Sequence, residues 1–290
     1  MSKNILMIGG DDRFIAVANS LSEYGFNVGM AAFKKSKKLK NNITIFDYIE
    51  NAENIDYIIL PLPATKDKIT VFAPFSDKEV YLDDIYPHIK KDCHILGGKL
   101  DESIRNSAKK YNLDVTDYFT DEALTVLNCI PTAEGAINIA IEHTDSTIFG
   151  SDCLVLGYGR VGKILAKTLF SLGANTFVEA RKNSDLAWIK AFGYEGIKLD
   201  ELENSIDKFD IIFNTVPHTV LDKNLLSKIK KDSLIIDLAS HPYGADINFC
   251  RDNKIKYIIA SSLPGKVAPH FAGKIIAKTI NNIIYEREGH

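Results

Sequence analysis

The chain has 290 residues, more than a typical single domain, so its length favours two domains. Its 46% hydrophobic and 25% charged residues are ordinary for a globular protein, and a net charge of −3 gives no electrostatic basis for binding nucleic acid. No signal peptide is recognisable and no stretch is expected to cross a membrane, which predicts a cytoplasmic protein. Four widely separated cysteines argue against a metal site.

Short apolar runs alternate with longer amphipathic stretches along the whole chain, which is typical of βαβ units around parallel sheets. The predicted strands are residues 5–8, 27–31, 57–60, 94–96, 113–115, 153–156, 176–179, 211–213, 234–237 and 256–259. This pattern predicts the α/β class, with two Rossmann-like, doubly wound parallel-sheet domains and a cleft between them.

The domain boundary is expected where Pro131 interrupts the chain. Residues 1–131 then form an N-terminal substrate domain, residues 132–149 a connecting helix capped by Thr132, and residues 150–269 a dinucleotide-binding domain. The last helix, residues 270–290, is expected to pack back on the first domain.

The strongest motif is Gly-Tyr-Gly-Arg-Val-Gly at residues 157–162, which follows an apolar strand and opens an amphipathic helix. A bare G-x-G-x-x-G is weak, but this strand–turn–helix context is the one that a dinucleotide site requires. Glycine permits the tight turn, the approach of the backbone to a pyrophosphate, and close helix–sheet packing. The predicted ligands of the phosphates are Gly157, Gly159, Arg160, Val161 and Gly162.

The tip of the next strand reads Glu179-Ala180-Arg181-Lys182 and bears on the choice of cofactor. Ala180 aligns with the position at which NAD enzymes place a ribose-binding carboxylate, and Arg181 and Lys182 could hold a 2′-phosphate. This alignment favours NADP. A shift of one residue would put Glu179 at that position and favour NAD instead.

The ends of later strands are expected to complete the cofactor site, because ligands of open parallel sheets collect at the carboxyl ends of the strands. Loops that carry proline or glycine are also ordinary turns, so each of these positions has a purely structural alternative. The predicted cofactor contacts are Thr215, Val216, Pro217, Leu238, Ala239 and Pro264.

A second glycine turn, Gly9-Gly10, follows the first strand but lacks the third glycine of a dinucleotide site. Its backbone N–H groups and the fork of Arg13 could hold a substrate carboxylate, whereas Asp11 or Asp12 could simply cap the following helix. His218, His241 and His270 lie in predicted strand-end or inter-element loops, so each could accept a proton or be structural.

Several segments together resemble the A-subunit family of dipicolinate synthase from spore-forming bacteria over nearly the full length. The most specific are Pro-Thr-Ala-Glu-Gly at 131–135 and Glu-His-Thr-Asp at 142–145. Others are Ile-Gly-Gly-Asp at 8–11, Asp-Leu-Ala-Ser at 237–240 and Leu-Pro-Gly at 263–265.

The resemblance implies NAD(P)-dependent oxidation of dihydrodipicolinate, or of its hydrated tetrahydro precursor, to dipicolinate in a sporulating mother cell. It also implies a smaller flavoprotein-like B subunit as a partner, and it leaves a homo-oligomer open. A dicarboxylate substrate requires cationic groups or N–H and O–H donors, for which the candidates are Gly10, Arg13, Lys99, Thr132 and Ser240. The candidates for the base are His241, Glu134 and His270.

Two other functions stay open at this point. Residues 268–273, Ala-Pro-His-Phe-Ala-Gly, are similar to the segment that carries the catalytic histidine of D-2-hydroxy-acid dehydrogenases, although residues 238–244 lack the arginine expected there. Alternatively, the chain is a non-catalytic NADP-binding regulatory protein whose partner performs the chemistry.

Overall fold

The computed structural model describes residues 2–34, 38–46 and 54–289. The chain forms two compact units: unit 1 consists of residues 1–127 and 268–290, and unit 2 of residues 128–267. Each unit contains a six-stranded sheet in which all the strands run parallel. The predicted class, α/β with two Rossmann-like parallel-sheet domains, is confirmed.

Unit 1 has the sheet order β3-β2-β1-β4-β5-β6. Its strands are β1 Asn4–Ile8, β2 Asn27–Ala31, β3 Thr44–Phe46, β4 Tyr57–Ile59, β5 His94–Gly97 and β6 Asp114–Asp117. Its helices are α1 Arg13–Glu23, α2 Leu82–Ile85, α3 Glu102–Lys110 and the C-terminal α10 Pro269–Arg287.

Unit 2 repeats that order as β9-β8-β7-β10-β11-β12. Its strands are β7 Asp152–Leu156, β8 Asn175–Glu179, β9 Glu195–Ile197, β10 Ile211–Asn214, β11 Leu234–Asp237 and β12 Lys256–Ile259. Its helices are α5 Arg160–Ser171, α6 Asn183–Ala191, α7 Lys223–Leu226, α8 Ile247–Asp252 and α9 Leu263–Val267, and α4 Glu122–His143 enters it from unit 1.

Alternate residues of the strands fill a core on each face of each sheet, as expected for parallel strands covered by helices. In unit 1, Met7 and Ile59 belong to the cluster that includes residues of α1 and α10, and Leu6 and Ile58 to the opposite cluster. Helices α1 and α10 approach closely, because a β-carbon at Gly273 would overlap the backbone of Arg13. The C-terminal helix therefore belongs to the core of unit 1.

Strands β3 and β9 are absent from the strands predicted from sequence. Each has three residues and lies at a sheet edge, and their burial is low, with only Ile197 buried among the six residues. A short edge strand needs neither a long apolar run nor a strict alternation, so the periodicity that reveals central strands is weak here.

Helix α4 corrects the prediction that Pro131 ends one element and Thr132 caps the next. The helix runs from Glu122 to His143 with Pro131 inside it, and the Thr132 hydroxyl donates to the carbonyl of Asn128 at 2.9 Å. Burial of its second half compensates for the helix-breaking proline: Ala133, Ala136, Ile137 and Ala140 are all in the core of unit 2.

By length and composition α4 could also cross a membrane, contrary to the expectation that no stretch would. Its burial among residues of α5 and the unit 2 sheet, with 44% of its most apolar window covered, is typical of the core helix of a globular protein.

Candidate functional site

The glycine turn of unit 2 joins β7 to α5 through three glycines with different tasks. Gly157 has φ +90°, in the left-handed region that favours glycine, and its N–H donates to the carbonyl of Glu179 at 3.2 Å. A β-carbon at Gly162 would overlap the carbonyl of Gly157, so this glycine lets the helix start close to the turn. A β-carbon at Gly159 would have no protein atom within 4 Å. The turn therefore has a closed inner side and an open outer side at Gly159.

Helix α5 begins at Arg160, with Gly159 at its N-cap position. A helix N-terminus directs N–H groups and partial positive charge outward, which suits phosphate oxygens. No side chain caps this end, and the residues before it are glycine and Tyr158. The predicted phosphate ligands, Gly157 to Gly162 with Arg160 and Val161 between them, thus form one continuous turn and first helical turn.

The loop after β10 contacts the glycine turn at the centre of the sheet. Both the backbone N–H and the hydroxyl of Thr215 donate to the carbonyl of Leu156, at 3.0 and 2.8 Å. A β-carbon at Gly157 would lie 2.8 Å from Val216 Cγ2. Strands β7 and β10 are neighbours at the point where the strand order reverses, which is where ligands of such sheets bind. Val216 is half-buried, and Pro217 and His218 are exposed at this edge.

A buried polar cluster, not singled out from the sequence, joins the ends of β10 and β11 to Tyr257 of β12. Asp237 is fully buried and accepts hydrogen bonds from Asn214 Nδ2 at 2.9 Å, Ala239 N at 3.0 Å, Gly244 N at 2.7 Å and Tyr257 Oη at 2.6 Å. Burial and the neighbouring carboxylate raise the pKa of Tyr257 above its ordinary value, so its hydroxyl stays a donor. Asp237 thereby shapes the loop that carries four predicted site residues, Leu238 to His241.

Asn214 fixes the loop after β10 in the same way, through hydrogen bonds from its side chain to the loop backbone. Its side chain is fully buried, and it donates to the carbonyl of Val216 at 3.0 Å and accepts from the N–H of Val216 at 3.1 Å. A β-carbon at Gly244 would overlap this amide. A polar residue at the last position of a buried strand is the sequence signal that could have identified both Asn214 and Asp237.

The tip of β8 places its four residues in different environments. Glu179 is the last strand residue and is buried, and burial raises the pKa of its carboxyl, against the lowering effects of the Gly157 N–H and Arg181. Ala180 is buried in the core cluster of α4 and α5, whereas Arg181 and Lys182 are exposed before α6. Two exposed cations therefore follow the end of β8 directly.

The other predicted residues of unit 2 divide into exposed and buried ones. Ser240 and His241 are exposed, with His241 forming an edge contact to the ring of Tyr243, and Leu238 and Ala239 are half-buried beside them. Glu134 is exposed on α4, Pro264 is buried in α9, and the hydroxyl of Thr132 already donates within α4. The structure brings Thr215, Val216, Leu238 and Ala239 to one edge of the sheet.

The predicted carboxylate site of unit 1 is corrected by the structure. Gly10 N donates to the carbonyl of Phe72 at 2.9 Å, so this N–H is not offered to a ligand. Arg13 is buried, its Nε and Nη2 bond the Asp11 carboxylate at 2.8 and 2.9 Å, and Nη2 also bonds the carbonyl of Leu62. The arginine fork thus holds the Gly9-Gly10 turn to the loop after β4. Asp12 occupies the N-cap position of α1 without a side-chain bond.

Two other unit 1 candidates are exposed. Lys99 has φ +54° after β5, and its ammonium lies 5.3 Å from the ring centre of Phe119. His270 is the second residue of α10. Over residues 2–34, 38–46 and 54–289, no group of three or more His, Cys, Asp or Glu side chains is placed to hold a metal ion.

Comparison with known proteins first defines a class. Residues 130–265 match the family described as S-adenosyl-L-homocysteine hydrolase, NAD binding domain. The fold is shared with a transhydrogenase from Sinorhizobium meliloti, at a TM-score of 0.72 and 13% identity over 98% of this chain and 94% of that chain. The family match and the glycine turn define residues 130–265 as a Rossmann domain of the nicotinamide-dinucleotide-binding class, and the transhydrogenase shows a shared fold.

The whole chain then matches a narrower family. Residues 4–119 match the family described as the N-terminal domain of the dipicolinate synthase A subunit. The chain is 35% identical to the dipicolinate synthase A subunit of Bacillus subtilis (strain 168) over 288 residues, which cover 97% of this chain and 96% of the relative. The crystal structure of the B. subtilis protein superposes with a TM-score of 0.88, covering 99% of this chain and 97% of that one.

A second A-subunit structure, from Bacillus halodurans, agrees at a TM-score of 0.89 and 30% identity, covering 97% of both chains. The chain belongs to the A-subunit family of dipicolinate synthase. It is an oxidoreductase with a nicotinamide-dinucleotide-binding domain.

Proposed function

We propose that the chain oxidises dihydrodipicolinate, or its hydrated tetrahydro precursor, to dipicolinate with NADP⁺ as the oxidant. The dihydro ring gives up one hydride and one proton and becomes the aromatic product; the hydrated precursor also loses one water. The observation that carries the proposal is kinship with the B. subtilis dipicolinate synthase A subunit along 97% of the chain. Because aromatisation is strongly downhill, correct placement of the ring is the main catalytic requirement.

NADP would be held by residues of unit 2. Its pyrophosphate fits the N-terminus of α5 at Gly159, where the backbone is open to a ligand. Arg181 and Lys182 suit a 2′-phosphate, and the adjacent Ala180 offers no carboxylate that would repel it. The bound cofactor supplies a hydride acceptor, and the loops at Thr215–Pro217 and Leu238–Ala239 are proposed to border its nicotinamide end.

Exposed side chains are proposed to accept the proton and to bind the substrate carboxylates. In unit 2, His241 is the proposed base, with Glu134 as the alternative, and Ser240 is a proposed donor to a carboxylate. In unit 1, Lys99 is the proposed cationic contact, and His270 stays a second candidate base. Arg13 is not available to the substrate, because its guanidinium already bonds Asp11 and the carbonyl of Leu62.

The test is turnover by the purified chain while dihydrodipicolinate synthase supplies the substrate in the same reaction. Reduction of NADP⁺ should match formation of dipicolinate mole for mole. His241→Asn should lower kcat by about a hundredfold or more and leave NADP affinity unchanged. His143→Asn, at an exposed histidine bonded within α4, is the matched control. Absence of turnover with both NADP⁺ and NAD⁺ would refute the proposal.

The same preparation discriminates the other two functions. A D-2-hydroxy-acid dehydrogenase would oxidise NADPH when given pyruvate or glyoxylate, and we expect no such reaction. A non-catalytic protein would show turnover only with its partner present. We further propose that the chain acts in the cytoplasm of the sporulating mother cell together with a flavoprotein-like B subunit, since the relatives are named for one component of a larger synthase.

A further inference from the structure

An exposed cluster of aromatic side chains covers one face of unit 2, and the proposed reaction does not use it. We define the aromatic patch as Tyr158, Phe170, Trp188, Phe192 and Tyr194. Trp188 and Phe192 stack with ring centres 5.6 Å apart, Phe192 lies 6.1 Å from Tyr194, and Tyr194 lies 5.2 Å from Phe170. These four rings thus form a continuous surface on α5, α6 and the segment leading to β9, and Tyr158 of the glycine turn lines the same groove.

This surface is unusually open for aromatic residues. Trp188 is 59% exposed, Phe192 52% and Phe170 47%. Soluble monomers rarely expose contiguous apolar surface of this kind, and Trp, Tyr and Phe are the residues enriched at the centres of protein interfaces. The rings also enclose a groove of about 540 Å³, which gives the surface the concave shape that an inserted side chain requires.

Two lysines line the groove beside the rings. Lys163 and Lys167 of α5 are the charged side chains that line the groove, and the ammonium of Lys163 lies 5.3 Å from the ring centre of Tyr158. Apolar rings with lysines beside them complement a surface of apolar side chains flanked by carboxylates. A two-fold contact between identical copies would instead bring the same lysines of each copy to one interface, which like-charge repulsion disfavours.

We propose that the aromatic patch is the docking surface for the companion B subunit, with Trp188 as the central anchor and Lys167 paired to a carboxylate of that protein. The proposal rests on the heteromeric assembly advanced above, to which the names of the relatives point. It further requires that the B subunit present an apolar, acidic surface. Because Tyr158 lies inside the glycine turn, docking here would contact the same turn that is proposed to bind the pyrophosphate.

The experiment uses the full chain and the purified dipicolinate synthase B subunit of the same genome. Trp188 is the one tryptophan of the sequence, so labelling the chain with 5-fluorotryptophan gives a single fluorine resonance that reports on the patch. We expect unlabelled B subunit to shift this resonance and to shield the Trp188 ring from solvent. Titration calorimetry should show binding that Trp188→Ala and Lys167→Glu each weaken about tenfold or more.

Two variants away from the patch serve as matched controls. Lys231→Glu reverses an exposed lysine of unit 2, and Tyr285→Ala removes a ring that is 57% exposed on α10. Both variants should keep the affinity of the unmodified chain for the B subunit. Unchanged affinity of Lys167→Glu and Trp188→Ala, or a resonance that shifts with concentration of the chain alone, would overturn the proposal.

Failure of the B subunit to bind at all would also overturn this inference. It would leave the proposed reaction intact, because turnover of the chain with dihydrodipicolinate and NADP⁺ is measured separately. Conversely, B subunit binding at the patch without any turnover would support the docking surface and refute the catalytic proposal.

Discussion

Asn214 and Asp237, the last residues of two adjacent strands, are joined by a hydrogen bond of 2.9 Å from Asn214 Nδ2 to Asp237 Oδ1. Both side chains are fully buried. Each also bonds the backbone of the loop that follows it, so one side-chain pair sets the path of two loops at the proposed cofactor edge. This pairing explains how exposed loops without regular structure keep a defined shape in unit 2.

Replacing Asp237 with Asn should loosen both loops, because the new amide NH₂ would face N–H or O–H donors in place of a carboxylate oxygen. We expect the free energy of unfolding to fall by about 2–3 kcal/mol and the KM for NADP⁺ to rise. Tyr257→Phe, which removes one donor and leaves the carboxylate, should cost about 1 kcal/mol. Urea denaturation measures the free energy of unfolding of both variants, and steady-state kinetics measures their KM for NADP⁺. Equal effects of the two variants would contradict the conclusion that Asp237 organises both loops.

Alanine at two glycines of the turn should separate folding from binding. Gly162→Ala should destabilise unit 2, because the added methyl group overlaps the backbone of Gly157. Gly159→Ala should fold normally, since its φ of −78° suits alanine and its β-carbon enters open space, yet bind NADPH at least about tenfold more weakly. Thermal melting and fluorescence titration distinguish the two; undiminished binding by Gly159→Ala would place the pyrophosphate elsewhere.

Removing Arg181 should change the cofactor preference without changing the fold. Its side chain is exposed, so Arg181→Ser should melt as the unmodified chain does, while its affinity for NADPH falls about tenfold to a hundredfold and its affinity for NADH stays constant. Glu179→Gln tests the alternative that Glu179 binds the ribose of NAD. Weaker NADH binding by that variant would support this alternative. Calorimetry with both nucleotides measures the outcome.

Arg13→Ala should act on stability. The buried guanidinium bonds Asp11 and the carbonyl of Leu62, so its loss leaves that carbonyl without the guanidinium and Asp11 with the backbone N–H of residue 13. We expect the free energy of unfolding to fall by about 3 kcal/mol. Dinucleotide affinity, a property of unit 2, should persist in the folded protein. Arg105→Ala, at an exposed arginine 3.7 Å from Asp117, is the control and should cost less than about 1 kcal/mol.

His94 should make unit 1 sensitive to acid. Burial, together with Arg287, lowers the pKa of His94 from 6.5 to about 4 in the folded chain. As the pH falls from 6.5 towards 4, the unfolded chain therefore takes up a proton first, and stability is lost. We expect His94 to contribute at most about 3 kcal/mol to this loss, because its pKa in the folded chain is lowered from 6.5 to about 4. His94→Gln should flatten the profile relative to exposed His88→Gln; parallel profiles would contradict this assignment.

The fold class could be predicted because its signals are local. Ten of the strands are visible in the sequence as apolar runs. The spacing of the glycines at 157–162 likewise predicts a tight turn between a strand and a helix. The exposed Arg181 and Lys182 are likewise visible as neighbours of a strand end. Edge strands β3 and β9 escape because three poorly buried residues carry almost no periodic signal.

The partners of the polar side chains could not be predicted. Sequence order does not show that Arg13 contacts Leu62, 49 positions away, or that Tyr257 contacts Asp237 of the neighbouring strand. Sequence alone determined which segments form strands, turns and helices, because backbone preference and apolar spacing are local properties. Tertiary structure decided which polar groups are consumed internally and which stay exposed, because burial and pairing depend on residues that only the folded chain brings together.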